Sequence, residues 1–323
     1  MRIRMRIVRA LLSASLCLAL AHLAAAETLA LNEMPTGTRW LLHLDMRRWV
    51  DAPLRETLAP TPAMPSVMPE GMLKAIESFQ RDSSINITSD LHGVTLFGSG
   101  DREATVYLRG SWNLEKLSAL ATGQPGVISE RFGEFDLLSW PANRPGQAPG
   151  RHYGCFARPD LIIIGTGLPG MQAALEAQKA LGANLAAHSE LPRMAARTSD
   201  SFMRLLAVEG RHIATNMQQA AMLHQSDKLS LNLAPADDTL VFKMDVDAVS
   251  EQAAADMLRM LGGIQAMLTL RAGNEPRFVQ LAQSLQVRST GRRVNAELTL
   301  DAETIAFMAD AASNIQLPRP GAR

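Results

Sequence analysis

The stretch Leu240-Val241-Phe242-Lys243-Met244-Asp245-Val246-Asp247 alternates residue by residue. Leu240, Phe242, Met244 and Val246 fall on one side, Val241, Lys243 and Asp245 on the other. Side chains of a β-strand point alternately to its two faces, so the pattern predicts a strand buried on one face and wet on the other. Asp247 closes the run just ahead of a helix-spaced apolar set, Met257, Leu258, Leu261, Ile264 and Leu268. A carboxylate there can accept an orphan N–H of the first helical turn, worth about 1 kcal/mol. The same junction of strand, capping Asp or Asn, and helix recurs at Leu44-Asp45, Trp112-Asn113 and Leu300-Asp301.

Other segments alternate as cleanly. Trp40, Leu42 and Leu44 share one face; Leu229, Leu231 and Leu233 oppose Lys228, Ser230 and Asn232; Val294, Ala296, Leu298 and Leu300 oppose Arg293, Asn295, Glu297 and Thr299. In order, residues 38–140 read β-α-β-β-α-β, with strands near 38–44, 93–98, 104–109 and 135–140 and helices near 46–58, 69–80 and 113–121. Strands near 152–157 and 161–165 and a helix near 168–181 follow. After a connecting stretch the alternation restarts, with strands near 202–208, 228–233, 239–246, 285–290 and 294–300 and helices near 211–223, 248–270 and 301–312. The economical reading is α+β: two tandem ferredoxin-like βαββαβ modules, 27–182 and 202–316, joined by 183–201. Each carries a one-sided antiparallel or mixed sheet with helices packed on one face, and the two can lie side by side. Residues 317–323, rich in Pro, Gly and Arg, form an expected disordered tail.

The N-terminus predicts a compartment. Arg2, Arg4, Arg6 and Arg9 precede the apolar run from Leu11 to Leu23, and Ala24-Ala25-Ala26 supplies a small-x-small cleavage site. This is the build of a cleaved export signal, too short to serve as a span. Leu16 stands before Cys17, where lipidation wants a small residue, so no lipid anchor is expected. Cleavage removes four of the 32 Lys+Arg and none of the 32 Asp+Glu, a net charge of −4 for the remainder. Such a balance argues against a nucleic-acid partner. Cys155 becomes the only cysteine, so no intramolecular disulfide can form; in the strand-like run His152-Tyr153-Gly154-Cys155-Phe156 it reads as a small buried hydrophobe.

Three patterns bear on chemistry. Gly165-Thr166-Gly167-Leu168-Pro169-Gly170 matches G-x-G-x-x-G between the strand Leu161-Ile162-Ile163-Ile164 and a helix. Gly165, Gly167 and Gly170 there would let a pyrophosphate approach a helix N-terminus. No second parallel strand leads into Glu190, where a ribose-binding acid would be sought, so a structural turn is the preferred reading and an enzyme binding a nucleotide or phosphate ligand there the alternative. Met64, Met68 and Met72 recur every fourth residue and could offer soft thioether ligands to Cu(I). They equally begin a helical apolar face continuing through Leu73, Ile76 and Phe79, the preferred reading. Asp245-Val246-Asp247 resembles a D-x-D metal site without a third ligand. The six histidines beyond the signal (43, 92, 152, 188, 212, 224) make no zinc motif, and no G-x-S-x-G or S-x-x-K occurs.

The run Asp90-Leu91-His92-Gly93-Val94-Thr95-Leu96-Phe97-Gly98, the strand-then-helix from Leu161 to Leu175 and the duplicated order resemble exported bacterial proteins of uncharacterised function built from ferredoxin-like modules. The resemblance implies a fold and a periplasmic location, with no catalytic residue to transfer. The sequence thus predicts an exported, non-enzymatic binding or assembly module that uses no cofactor. Its expected partner is a protein or peptide contacting the polar sheet face or the groove between modules, and no membrane span remains after cleavage.

Overall fold

The computed structural model describes residues 29–51, 81, 85–100, 103–142, 150–179, 185, 189–210, 224–271, 277–305 and 307. The expected export signal, Met64, Met68 and Met72, the helices expected at 69–80 and 211–223 and the expected disordered C-terminal tail lie outside these residues.

The strands are β1 (Trp40–Asp45), β2 (Leu91–Gly98), β3 (Thr105–Gly110), β4 (Ile128–Phe132), β5 (Phe135–Ala142), β6 (Gly150–Arg158), β7 (Leu161–Gly165), β8 (Met203–Val208), β9 (Ser226–Ala236), β10 (Thr239–Ala248), β11 (Leu285–Thr290) and β12 (Arg293–Asp301). They form one 12-stranded sheet in the order β11-β12-β10-β9-β8-β1-β2-β3-β7-β6-β5-β4. Every neighbouring pair is antiparallel. The helices are α1 (Met46–Asp51), α2 (Ile87–Asp90), α3 (Leu114–Thr122), α4 (Leu168–Lys179), α5 (Leu191–Ala196), α6 (Glu251–Arg271) and α7 (Arg277–Ser284).

This corrects the expectation of two tandem ferredoxin-like modules with helices on one face. A split βαβ unit inserts its third strand between the first two, which run parallel but apart, whereas here β1 pairs directly with β2 and β8 with β9 within one continuous sheet. Strands adjacent in sequence pair directly instead. Tight turns drive this at Gly133 (φ 60°) between β4 and β5, Asp237 (φ 50°) between β9 and β10, and Gly291 (φ 56°) between β11 and β12. Even β1 and β2, separated by a long intervening segment, are antiparallel neighbours, with Trp40 opposite Gly98 and Asp45 opposite Gly93. β4 escapes sequence reading because Ile128-Ser129-Glu130-Arg131 is exposed at every position, so burial leaves no alternation in it.

Residues directly opposite one another in an antiparallel ladder share a face, so the register reveals how the sheet is covered. In the half from β1 to β4, one face carries Leu41, Phe97, Tyr107, Leu137, Cys155, Leu161 and Ile163. Met171, Ala174 and Leu175 of α4 and Leu191 and Ala195 of α5 close over it. In the half from β8 to β11 the opposite face is covered, where Leu229, Met244, Val246, Val294 and Ala296 meet Ala253, Ala254, Met257 and Leu261 of α6. The helical cover therefore changes sides near the β1–β8 junction. One consequence concerns β1: Leu41, His43 and Asp45 are its buried residues, while Trp40, Leu42 and Leu44, expected as the apolar face, are only half-buried.

The caps follow the junctions read from sequence in three cases. Asp45 Oδ1 accepts from Arg48 N (3.0 Å), Asn113 Oδ1 from Lys116 N (3.0 Å) and Asp301 Oδ1 from Thr304 N (2.7 Å). Asp247 differs: β10 runs on to Ala248, and Ser250 Oγ takes the cap of α6, accepting from Ala253 N (3.1 Å). A 3-10 turn at Leu31–Glu33 is pinned to β3 and α4 by Tyr107, whose hydroxyl donates to Glu33 O (2.9 Å) and accepts from Gln178 (3.2 Å). Arg109 and Arg158 both bridge to the Glu33 carboxylate.

Candidate functional site

Because the cover changes sides, the face shared by β8–β12 opposite α6 is left polar. Register lays it out in rungs. One runs Arg204, Asn232, Lys243, Glu297, Gln286 across β8, β9, β10, β12 and β11; the next runs Leu206, Ser230, Asp245, Asn295, Arg288; the third runs Val208, Lys228, Asp247, Arg293, Thr290. Of these, Lys228, Ser230, Asn232, Lys243, Asp245, Arg293, Asn295 and Glu297 lie on the sides that the alternation predicted as polar. α5 and the turn after it rise along one side, and together they enclose a groove of about 430 Å³.

The floor of the groove includes Ser230, Asn232 and Ser201, all buried. Asn232, only 4% exposed, donates from Nδ2 to Ser230 Oγ (2.8 Å), yet among the described residues its Oδ1 has no hydrogen-bond partner. An unmatched buried amide oxygen costs on the order of 1–3 kcal/mol relative to a satisfied one. The wall is clamped from below by Arg204, opposite Asn232 in the ladder, which donates through Nε to Ser201 O (3.2 Å) and through Nη2 to Ser199 O (2.9 Å). Burial is the main force lowering the pKa of Arg204, helped by Arg48 and opposed by Asp45 and Asp200. At one end Glu190 ties wall to floor, accepting from Arg193 (3.0 Å) and Lys228 (3.3 Å). Asp247 pairs with Arg293 (3.1 Å) and Asp245 with Asn295, so the two carboxylates of the D-x-D pattern hold neighbours across the β10–β12 ladder.

The glycine turn lies elsewhere. Gly165 ends β7, Gly167 O accepts from Met171 N (3.2 Å) to open α4, and Gly170 sits in its first turn. Thr166 is stitched to Ala104 in both directions. The Glu103 carboxylate stands over the turn: a methyl at Gly167 would lie 2.6 Å from its Cδ, and one at Gly170 would lie 3.4 Å from Oε2. A carboxylate is itself an anion at a helix N-terminus, where a phosphate would have to displace it. β7 has antiparallel neighbours on both sides, β3 and β6, unlike the parallel strands of a dinucleotide fold.

Cys155 is buried and free, and burial pushes its thiol pKa up to about 12. Among the described residues no group of three His, Cys, Asp or Glu is placed to hold a metal ion. No described helix is long and apolar enough to cross a membrane. The groove brings together residues from 190–201 and 228–247. Sequence periodicity marked its floor as polar, but nothing in the short 183–201 connection signalled that it would form a wall.

No protein-family model and no curated protein matches the chain. Among solved structures it is similar to TP0453 in three crystal forms. Forms I and IV are 12% identical with TM-scores of 0.44 and 0.45, each covering 88% of this chain and 98% of that one. Form III is 10% identical with a TM-score of 0.42, covering 88% and 99%. A likeness this distant says nothing about ligand or activity, and no family match accompanies the resemblance to duplicated ferredoxin-like proteins.

Proposed function

We propose that this chain is an exported, non-enzymatic binding module that takes a polypeptide segment of a partner into the groove between α5 and the polar face of β9 and β10. The observation that carries the reading is the unpartnered, buried Oδ1 of Asn232 in the groove floor. An acceptor held there asks for a donor from outside, and a main-chain N–H is the donor every polypeptide supplies. The rim, with Arg193, Arg197 and Lys228 interleaved with Glu190, Asp200 and Asp245, suits a partner carrying both signs of charge. The leader of arginines, apolar run and triple alanine supports action in the periplasm, the compartment that N-terminal sequencing of exported material checks. A chain starting at Glu27 is expected; Met1 retained in a membrane fraction counts against export.

A photo-crosslinking residue replacing Arg197 in the groove, with the same residue replacing Gln252 on α6 as control, tests the binding site. A polypeptide adduct specific to position 197, weakened about tenfold by Asn232→Ala as befits loss of one buried hydrogen bond, is the expected result. An adduct indifferent to Asn232, or a thermal shift of the purified protein with NAD or FAD, overturns the reading.

A further inference from the structure

The sheet ends at β4 on one side and at β11 on the other, and the two edges differ. β4 is exposed at every position from Ile128 to Arg131. β11 is sheltered on one face, where Leu285 and Val287 pack against the core beneath α6, while Gln286, Arg288 and Thr290 continue the polar rungs. Its ladder with β12 has no shift of register, and β11 contains no proline. A two-residue turn, Gly291-Arg292, closes the hairpin with Gly291 at φ 56°, so the flanking pair Thr290 and Arg293 exchanges both main-chain hydrogen bonds. By alternation Arg288 and Gln286 bond inward as well, and the N–H and C=O groups of Ser289, Val287 and Leu285 point away from β12. Gln265 of α6 takes one of them, donating from Nε2 to Leu285 O (3.2 Å). Among the described strands none lies beyond β11 to take the rest.

α6 reaches past this edge. Met257, Leu261, Ile264 and Leu268 recur every three or four residues and form one stripe on the sheet side of the helix. Met257 and Leu261 are buried on it, but Ile264, beside the Gln265 that reaches the open side of β11, is 41% exposed. The stripe outruns the sheet that covers it.

We propose that β11 is extended by strand addition: a segment of a partner protein pairs with its open edge, turning apolar residues toward α6 and an acidic residue toward Arg288. The main chain selects the occupant's conformation, because only an extended backbone offers donors and acceptors at the spacing of Val287 and Ser289. Charge selects its side chains. On the polar face Lys243 pairs with Glu297 (3.6 Å) and Arg293 with Asp247 (3.1 Å), whereas Arg288, on the outermost strand, makes no ion pair among the described residues. A hollow of about 290 Å³ bounded by Gln286, Arg288, Asn295 and Glu297 leaves room beside it for a carboxylate side chain. The same cation disfavours a second copy as the occupant. Antiparallel self-pairing centred on Arg288 or on Val287 sets the two Arg288 side chains directly or diagonally opposite one another. The site is separate from the groove at Asn232, which lies on β9 with β10 and β12 between it and β11.

The probe is a short synthetic peptide in which valine alternates with threonine around a central glutamate, with a central lysine in its counterpart. Fluorescence anisotropy and amide hydrogen exchange of the mature chain follow its binding. The glutamate peptide is expected to bind at least about tenfold more tightly than the lysine peptide, with the preference reversed in Arg288→Glu. Exchange at the Val287 and Ser289 amides should slow in its presence. Methylating alternate amide nitrogens of the peptide reads ladder pairing directly: one alternate set should abolish binding and the other leave it intact. Unchanged exchange at Val287 and Ser289 in millimolar glutamate peptide overturns the proposal. So does equal binding of the two peptides, or equal loss from either set of methyl groups. An Arg288→Glu chain that self-associates yet binds both peptides as the wild type does also overturns it, making Arg288 a guard against edge-to-edge pairing.

Discussion

At the scale of single residues, close approach separates glycines that look alike in sequence. Gly110, at the end of β3, lies against the Asp90 carbonyl and the Trp112 ring, so a methyl there collides with backbone. Gly167 meets only the end of the exposed Glu103 side chain, and its φ is not positive. Gly110→Ala should therefore destabilise by about 2–3 kcal/mol and Gly167→Ala by less than about 1 kcal/mol, as urea titration would measure. The motif glycine is the one the sequence singles out, and it is the more replaceable of the two. His43 is a second case. It is buried on β1 with Nδ1 and Thr95 Oγ1 hydrogen-bonded at 2.9 Å, and burial, then Arg204 and Arg109, lower its pKa to about 3. In the unfolded chain it titrates near its ordinary 6.5. The folded state thus binds fewer protons between those values, and stability present above about pH 6.5 is lost as pH falls toward 3, on the order of a few kcal/mol. In His43→Gln that loss is absent, so the stability gap between wild type and variant should shift in favour of the variant between about pH 7 and pH 4. A gap constant with pH would show that His43 does not carry the effect.

At the scale of elements, α6 illustrates how far periodicity reaches. Met257, Leu258, Leu261, Ile264 and Leu268 form one predicted apolar face, and a helix at 251–271 agrees with that pattern. Burial then divides the face: Met257 and Leu261 are in the core, while Leu258 and Ile264 are exposed. The spacing fixes which residues lie on one side but not how much of the sheet lies beneath them. Met257→Ala should cost about 2–4 kcal/mol and Met267→Ala no more than about 0.5 kcal/mol, read from thermal or urea unfolding at a concentration where the association state is constant. Equal losses at both positions would mean that the outer half of α6 is packed as tightly as the inner.

At the scale of the whole molecule, two cores on opposite faces of one sheet are linked through the β1–β8 ladder, where Leu41 pairs with Leu206 and His43 with Arg204. Damage to one core should therefore reach the other weakly. Hydrogen exchange in Met257→Ala should accelerate in β9, β10 and β12 while β5–β7 keep wild-type protection; uniform acceleration would indicate a single cooperative unit. Much of this architecture is legible in the chain. Alternation located most strands and their polar sides, Asp45, Asn113 and Asp301 announced their helices, and Cys155 read as a buried hydrophobe, because each depends on neighbours within a few residues. The strand order was not legible. The direct pairing of β1 with β2 and of β1 with β8 depends on which distant edges meet, and a βαββαβ order is compatible with several sheets. The change of covered face, and with it the groove around Asn232, exists only once β1 and β8 are paired: the sequence states that a strand has a polar side, and only the assembled sheet decides whether a helix or open groove lies against it.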